Sequence, residues 1–183
     1  MRSFLFFILS VIALTGFSYS DINKLPPILE PSDSQRKEYD LPPRFFKKSL
    51  LVQDILIATS DKVSDLAVNE SAYLFDQMMK DINLDVAARI RSRKVLCILV
   101  GKDELTSQIP QFVSDKTGKD LDFYNWRQRG FLRYIKGRPV VLFAEEDVLE
   151  FNGGMQNESI LIHEFGHVIQ GAGFNKEQQE ELN

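Results

Sequence analysis

The chain has 183 residues, 44% of them hydrophobic, and a formal net charge of −4 at pH 7. This length is enough for one domain of ordinary size with a real core. The mildly acidic balance argues against a general nucleic-acid-binding protein. The single cysteine, Cys97, excludes an internal disulfide.

The first twenty residues have the features of a secretory signal peptide. Arg2 gives a positive start, Phe4 to Phe17 form an apolar run, and Ser18-Tyr19-Ser20 follows at the right distance for cleavage. We therefore predict a signal peptide at residues 1–20 and a secreted protein. An uncleaved anchor is the alternative, but about fourteen apolar residues are short for a membrane span. No later segment is long and apolar enough, so we expect no integral membrane segment after cleavage.

Residues 21–48 are polar and are interrupted by prolines at positions 26, 27, 31, 42 and 43. This composition predicts an extended Pro-rich linker that precedes the folded domain. The domain itself is expected to span residues 49–183.

The first half of the predicted domain contains four periodic segments. Leu50 to Thr59 is predicted as one strand. Ser64 to about Ile82 has helical spacing, and a second short helical stretch runs through Val86 to Ile90. Val95 to Val100 is a continuous apolar run and the best candidate for a central strand. Cys97 lies within it, where we expect a buried small apolar residue rather than a catalytic thiol.

Aromatic and basic residues alternate between residues 123 and 136. The members are Phe123, Tyr124, Trp126, Phe131, Leu132 and Tyr134, with Arg127, Arg129, Arg133 and Lys136 among them. Such a mixture can stack on nucleic-acid bases. In an acidic secreted chain we expect it instead to cover the sheet or line a substrate cleft, and we predict no nucleic-acid partner. Val140 to Ala144 then forms another predicted strand, followed by a solvated turn at Glu145 to Asp147.

Near the end of the chain stands the pattern H-E-x-x-H, as His163, Glu164 and His167. Residues four apart lie on one face of a helix, so both imidazoles point at one spot and can hold a zinc ion. Glu164 is one step further round, where a carboxylate can reach a metal-bound water. That is the position of a general base in metal-assisted hydrolysis. The chain contains two histidines, and both are in this pattern.

The flanks of the pattern are apolar on nearly every side of the predicted helix. They comprise Ile160, Leu161, Ile162, Phe165, Val168 and Ile169. This composition predicts a buried helix. Polar side chains inside a buried helix are costly unless something satisfies them, which favours zinc. The alternative is a core helix without metal, whose histidines hydrogen-bond to neighbouring groups.

Two Asn-x-Ser sequences mark candidate glycosylation sites at Asn69 and Asn157. They matter only in a host that glycosylates secreted proteins. Asn157 stands just before the motif helix, and we favour a helix N-cap for it. After the helix, Gly171 and Gly173 predict a left-handed cap.

The predicted order is strand, helix, strand, aromatic insertion, strand and motif helix. This order predicts an α+β fold in which a twisted mixed sheet packs against helices, with the last strand just above the metal. In that layout an edge strand such as Pro139 to Glu145 can pair with a peptide substrate by strand addition.

With these residues in place, the chain resembles the zincin metallopeptidases. The pentad at residues 163–167 is similar to that of anthrax lethal-factor-like catalytic domains, and the longer pattern at residues 137–139, 145–146 and 158–167 more closely resembles secreted gluzincin-like proteins. The resemblance covers residues 137–174, about a fifth of the chain. The metzincin branch is excluded, because Gln170 and Gly173 stand where that branch needs glycine and histidine.

The resemblance implies that His163 and His167 are zinc ligands and that Glu164 is the general base. In gluzincins the third ligand is a glutamate on a later helix. The late acids available here are Glu177, Glu180 and Glu181, which follow His167 sooner than that pattern requires. They are candidate third ligands, with a solvated helix face as the alternative. We therefore expect the chain to be C-terminally incomplete, and zinc held by two histidines alone to bind weakly.

Together these features predict a secreted zinc-dependent peptidase, with Zn²⁺ as cofactor and a peptide or protein as substrate. A zinc-activated water would attack the peptide bond, and Glu164 would serve as its general base. The alternative is a non-catalytic secreted binding protein that retains an incomplete zincin scaffold. The missing third ligand is the main support for that alternative.

Overall fold

The computed structural model describes residues 24–150, 154 and 158–182, so the predicted signal peptide and Asn157 lie outside the described residues. The described residues form five strands: β1 (Lys48–Val52), β2 (Ile55–Thr59), β3 (Leu96–Val100), β4 (Phe131–Ile135) and β5 (Arg138–Ala144). They also form seven α-helices: α1 (Asp33–Tyr39), α2 (Asp65–Asp81), α3 (Leu84–Ser92), α4 (Gly118–Arg127), α5 (Glu145–Val148), α6 (Ile160–Val168) and α7 (Lys176–Glu180).

The five strands form one mixed sheet in the order β1-β2-β3-β5-β4. The inner pairs β2–β3 and β3–β5 are parallel, whereas both outer strands run antiparallel to their neighbours. β3 occupies the centre and is buried at every position, as its continuous apolar sequence predicts. The predicted α+β class and mixed sheet are thus confirmed. Among the helices of the described residues, none is long and apolar enough to cross a membrane.

The segment from Leu50 to Thr59, predicted as one strand, is a hairpin of β1 and β2. Gln53 and Asp54 connect the strands with φ values of 51° and 63°. Positive φ at both central residues is typical of a type I′ turn, whose twist suits antiparallel strands. The one-strand prediction is wrong because Gln-Asp lacks the Asn-Gly or Asp-Gly signature of this turn.

Each face of the sheet has its own core, because alternate strand residues point to opposite sides. The first face includes Ile55, Ile57, Cys97, Leu99, Val141 and Phe143. The second face includes Leu56, Ala58, Leu96, Ile98, Val140 and Leu142. The sheet is therefore the middle layer of the fold, and different parts of the chain cover its two sides.

Helices α2, α3 and α6 cover the first face. Phe75 of α2 is fully buried, with its ring centroid 6.1 Å from Phe143 of β5 and 4.9 Å from Phe165 of α6. Because these rings belong to three different elements, they fix α6 against both the sheet and α2. The helices predicted after Ser64 and around Val86 to Ile90 are confirmed as α2 and α3.

The second face is covered in part by the segment predicted as an extended linker. That prediction is wrong for its described residues, because α1 begins there with a capping box formed by Ser32 and Gln35. The residues around α1 that pack against the sheet are Tyr39, Leu41 and Phe46. Few apolar side chains do this packing, so the polar and proline-rich composition concealed it.

The aromatic segment supplies α4 and β4. Tyr124 is buried and donates its hydroxyl to the carbonyl oxygen of Phe112, a core residue of the second face, at 3.0 Å. Phe123 and Trp126 are instead 61% and 71% exposed. The Arg133 guanidinium lies 4.5 Å above the ring of Phe131, so this cation is engaged within the domain.

The strand before α5 is not an edge strand. β5 has β3 on one side and β4 on the other, so the expectation that Pro139 to Glu145 forms a free edge is wrong. The edge at this end of the sheet is β4, which the aromatic composition concealed. The solvated turn predicted at Glu145 to Asp147 is also wrong. Residues there form α5, and buried Glu145 accepts a hydrogen bond of 2.9 Å from the Ser64 N–H.

Helix α6 ends in a π-turn at Ile169–Gly173 rather than in a left-handed cap. The Phe174 N–H donates to the Ile169 carbonyl oxygen at 3.0 Å, which closes the turn. Glycine is needed here for space. A Cβ on Gly173 would lie 2.7 Å from Val86 Cγ1 of α3.

Replacement of Phe75 by alanine tests the ring cluster that holds α6. We expect the free energy of unfolding to fall by about 3–5 kcal/mol, because the cavity lies between three elements. Urea denaturation followed by circular dichroism measures this change. Phe123→Ala is the matched control: its ring is 61% exposed, so we expect a change within about 0.5 kcal/mol. Equal losses in both variants would contradict the assignment.

Candidate metal centre

The motif helix α6 is buried on one face only. Its N-cap is Ser159, whose Oγ accepts a hydrogen bond of 3.4 Å from the Ile162 N–H. The buried residues of α6 are Leu161, Phe165 and Val168, spaced so that they share one side. The N-cap favoured for Asn157 is therefore at Ser159, and Asn157 itself lies outside the described residues.

The histidines lie on the opposite, solvent-facing side of α6, where the His163 side chain is 48% exposed. The expectation of a helix buried all round is wrong, because Ile160 and Ile162 are only half-buried. As a result, the cost of burying unsatisfied histidines does not argue for a metal here. Support for a metal site must come from the geometry of the side chains.

The two imidazoles turn the same nitrogen toward each other. Nε2 of His163 and Nε2 of His167 are 3.3 Å apart, and the ring planes meet at 83°. With no metal between them, one Nε2–H can donate to the other Nε2. With a metal, both nitrogens would offer lone pairs to the same point.

A carboxylate, that of Glu158, contacts His163 on the side of the ring that faces away from His167. Glu158 Oε1 lies 2.8 Å from Nδ1 of His163, the ring nitrogen that faces away from His167. Glu158 stands two residues before the first residue of α6, outside the helical repeat. The helical spacing that identified the histidines therefore could not predict this contact.

Glu164 lies between the exposed and buried faces of α6 and is half-buried. Burial raises the pKa of its carboxyl, and the charge of Glu158 acts in the same direction. His163, His167 and a hydrogen bond from the backbone of Leu132 oppose this rise in the pKa. The net effect favours proton uptake by a carboxylate that stands next to the histidines.

The edge strand β4 passes close to α6 at both ends of the helix. A Cβ on Gly130, just before β4, would lie 2.4 Å from Ile160 Cγ2 at the start of α6. A Cβ on Gly171, in the π-turn, would lie 2.4 Å from the Tyr134 hydroxyl of β4. Glycine at both positions thus permits the approach that brings the Leu132 backbone to Glu164.

The histidine spacing fits zinc. Two imidazole nitrogens at about 2.0–2.1 Å from a tetrahedral zinc are about 3.3–3.4 Å apart. The observed separation of 3.3 Å falls within this range. Among the residues that the structure describes, however, no group of three or more His, Cys, Asp or Glu side chains could hold a metal ion. The described part of the chain thus brings together two candidate metal ligands and not three.

The late glutamates are not assembled with the histidines into a three-ligand group. Glu177, Glu180 and Glu181 are all exposed on or beside α7. Arg89 of α3 binds this region, donating to the Gly173 carbonyl oxygen and, at 2.9 Å, to Gln178 Oε1. These bonds hold α7 against α3. The solvated helix face is thus the arrangement that the structure shows for these acids.

Of the two candidate glycosylation sites, only Asn69 is among the described residues. Asn69 lies within α2 and is half-buried, which is unlike the exposed loops that glycosylation favours. Two participants were not predicted from the sequence. Glu158 gave no periodic signal, and Leu132 acts through its backbone, which no residue pattern identifies.

Comparison of the chain with models of known protein families, with curated proteins and with solved structures finds no match in any of the three.

The reactivity of Cys97 tests whether the functional site lies on α6 and does not use a thiol. Its side chain is fully buried, and burial raises the pKa of the thiol well above its ordinary value. We expect no reaction with a colourimetric thiol reagent at pH about 8 in the native protein, because the thiolate is the reactive form. Full reaction is expected in denaturant. Rapid modification of the native protein would contradict the buried assignment.

Proposed function

We propose that the protein is a secreted, zincin-like zinc peptidase whose centre is built on α6. The observation that carries the proposal is the 3.3 Å convergence of the two Nε2 atoms, with the half-buried carboxyl of Glu164 beside them. Such a set of two imidazoles and one carboxylate suits metal-assisted hydrolysis of an amide. The apolar run after Arg2 supports secretion.

In this proposal His163 and His167 hold the metal through Nε2. When bound there, zinc supplies a Lewis acid that polarises the scissile carbonyl and lowers the pKa of water. The buried face of α6 keeps both imidazoles on a rigid support, since Phe165 packs against Phe75.

Glu164 carries the proton in this mechanism. Its carboxylate accepts a proton from the attacking water and then delivers it to the amine that leaves when the carbon–nitrogen bond breaks. The backbone of Leu132 in β4 lies near this carboxylate and lowers the pKa of the carboxyl against the rise that burial causes.

The edge of β4 is the proposed binding surface for the substrate backbone. Among the described strands, β4 is outermost at its end of the sheet, so one of its two backbone edges has no partner strand. Backbone groups of a strand alternate between its two edges, so those of Tyr134 face the same way as those of Leu132. A peptide that adds to this edge would lie beside Glu164, which agrees with peptide bonds as the substrate.

A second candidate function is a secreted binding protein that retains this scaffold without catalysis. The observation in its favour is that the described residues give the histidines no third protein ligand. In that case the same 3.3 Å contact serves as an ordinary hydrogen bond between the rings. Metal content and activity separate the two candidates.

Metal analysis tests the zinc site directly. Because two imidazoles alone hold zinc weakly, we expect purified protein to bind one equivalent when zinc is added, and His163→Ala and His167→Ala each to lose this binding. Glu164→Gln is the matched control within the motif and should keep the metal, because Glu164 is not a ligand in this proposal. Plasma mass spectrometry gives the metal content. Wild-type protein that takes up no zinc, even when zinc is added, would end the proposal.

Glu164→Gln tests catalysis. We expect kcat toward a fluorogenic peptide library to fall by about 10²–10⁴-fold, the contribution of a positioned general base. Glu30→Gln, whose side chain is 75% exposed and remote in sequence, should keep the wild-type rate. Wild-type protein that binds zinc and cleaves nothing in the library would favour the binding-protein candidate.

A further inference from the structure

We propose that Glu158 is a positioning residue that selects the tautomer of His163 and so directs the lone pair of its Nε2 toward the metal position. This inference rests on the proposed zinc site and names a further residue on which that site depends. Its basis is the 2.8 Å contact between Glu158 Oε1 and Nδ1 of His163.

The number of protons on a neutral imidazole decides which of its nitrogens can bind a metal. A neutral ring carries one N–H, on Nδ1 or on Nε2, and a metal takes the nitrogen that has none. An ionised carboxylate can only accept hydrogen bonds, so a Glu158 carboxylate at 2.8 Å requires the proton on Nδ1. Nε2 of His163 is then free of hydrogen.

The position of Glu158 assigns it to this supporting role rather than to the metal itself. It contacts Nδ1, whereas the nitrogen that faces His167 at 3.3 Å is Nε2, on the other side of the ring. Carboxylates that hold the outer nitrogen of a metal-binding histidine fix both the tautomer and the ring orientation. Glu158 thus orients a ligand.

The contact contributes little to the stability of the fold. The side chains of His163 and Glu158 are 48% and 52% exposed, so solvent screens their attraction. Ser159, and not Glu158, provides the side-chain cap of α6. Removal of the Glu158 carboxylate should therefore change the imidazole without unfolding the helix, which makes the role testable.

The tautomer of His163 also determines how His163 and His167 hydrogen-bond to each other. If Nε2 of His163 has no hydrogen, the 3.3 Å contact in the metal-free protein requires the N–H of His167 to donate. Glu158 then fixes the direction of the hydrogen bond between the rings. Without Glu158, either ring can be the donor, and both tautomers of His163 become populated.

The experiment compares Glu158→Gln and Glu158→Ala with wild-type protein and with Glu30→Gln, an exposed glutamate outside the site. Nitrogen chemical shifts of the imidazoles, recorded on metal-free protein at pH about 8, report the tautomer. Competition with a chromophoric chelator reports zinc affinity. We expect a dominant Nδ1–H tautomer of His163 in wild type and mixed tautomers in both Glu158 variants. Zinc affinity should fall by about 10–100-fold in those variants and stay unchanged in Glu30→Gln.

Two further measurements separate the outcomes. Circular dichroism should show unchanged helix content and melting temperature in Glu158→Gln, and the visible spectrum of the cobalt-substituted protein should keep its shape. An altered cobalt spectrum would identify Glu158 as a ligand and overturn the positioning role. An unchanged tautomer in both variants would also overturn it. Failure of wild-type protein to bind zinc would end the proposed function, and the tautomer measurement, made without metal, would still decide what Glu158 does to His163.

Discussion

The seating of α6 on the sheet is the constraint on which the candidate centre depends. Leu161, Phe165 and Val168 are buried on one side of the helix, and the Phe165 ring is held by Phe75 at 4.9 Å. At about 100° per residue, this seating places His163 and His167 on the far side of α6. A rotation of the helix by one residue would carry the imidazoles toward the core, where unpaired polar groups are costly.

The same seating determines what Glu164 can do. The residue next to His163 stands roughly a quarter turn away, at the border between the two faces of the helix. There the Glu164 carboxyl is buried enough for its pKa to rise. It also lies near the backbone of β4. Small residues allow this proximity, because a side chain at Gly130 or Gly171 would collide with Ile160 or Tyr134. Glycine at these two positions thus leaves room for the close approach of β4 to α6.

Periodicity in the sequence was enough to predict the elements that hold this arrangement. The apolar spacing of α2 and the continuous run of β3 led to correct predictions, since burial on one face or on both leaves a direct mark on residue type. Two features left no such mark. The β1–β2 turn places both Gln53 and Asp54 at positive φ, and Gln rarely adopts this conformation. Strand β4 has intermediate and exposed positions, so its place at the sheet edge is decided by pairing with β5.

The motif itself shows both the strength and the limit of sequence inference. Its four-residue spacing predicted that the two histidines share one face, and they do. The apolar flanks predicted burial on all sides, which is wrong, because Ile160 and Ile162 are apolar residues that remain half-buried. A hydrophobic side chain favours burial, but the tertiary contacts decide which hydrophobic side chains are buried. The support for zinc is therefore the 3.3 Å distance between the two Nε2 atoms and not the cost of burying the histidines.

Preorganisation of the two imidazoles is therefore the property that matters most at this site. A metal held by two imidazoles gains less binding energy than one held by three ligands, so any freedom lost on binding weighs more heavily. The fixed seat of Phe165 removes the freedom of the helix, and the contact of Glu158 removes the choice of tautomer at His163. Because Arg89 holds α7 against α3, a late glutamate would have to give up an existing arrangement to reach the histidines. A zinc centre at this position would thus depend more on the groups that orient His163 and His167 than a centre with a complete ligand set would.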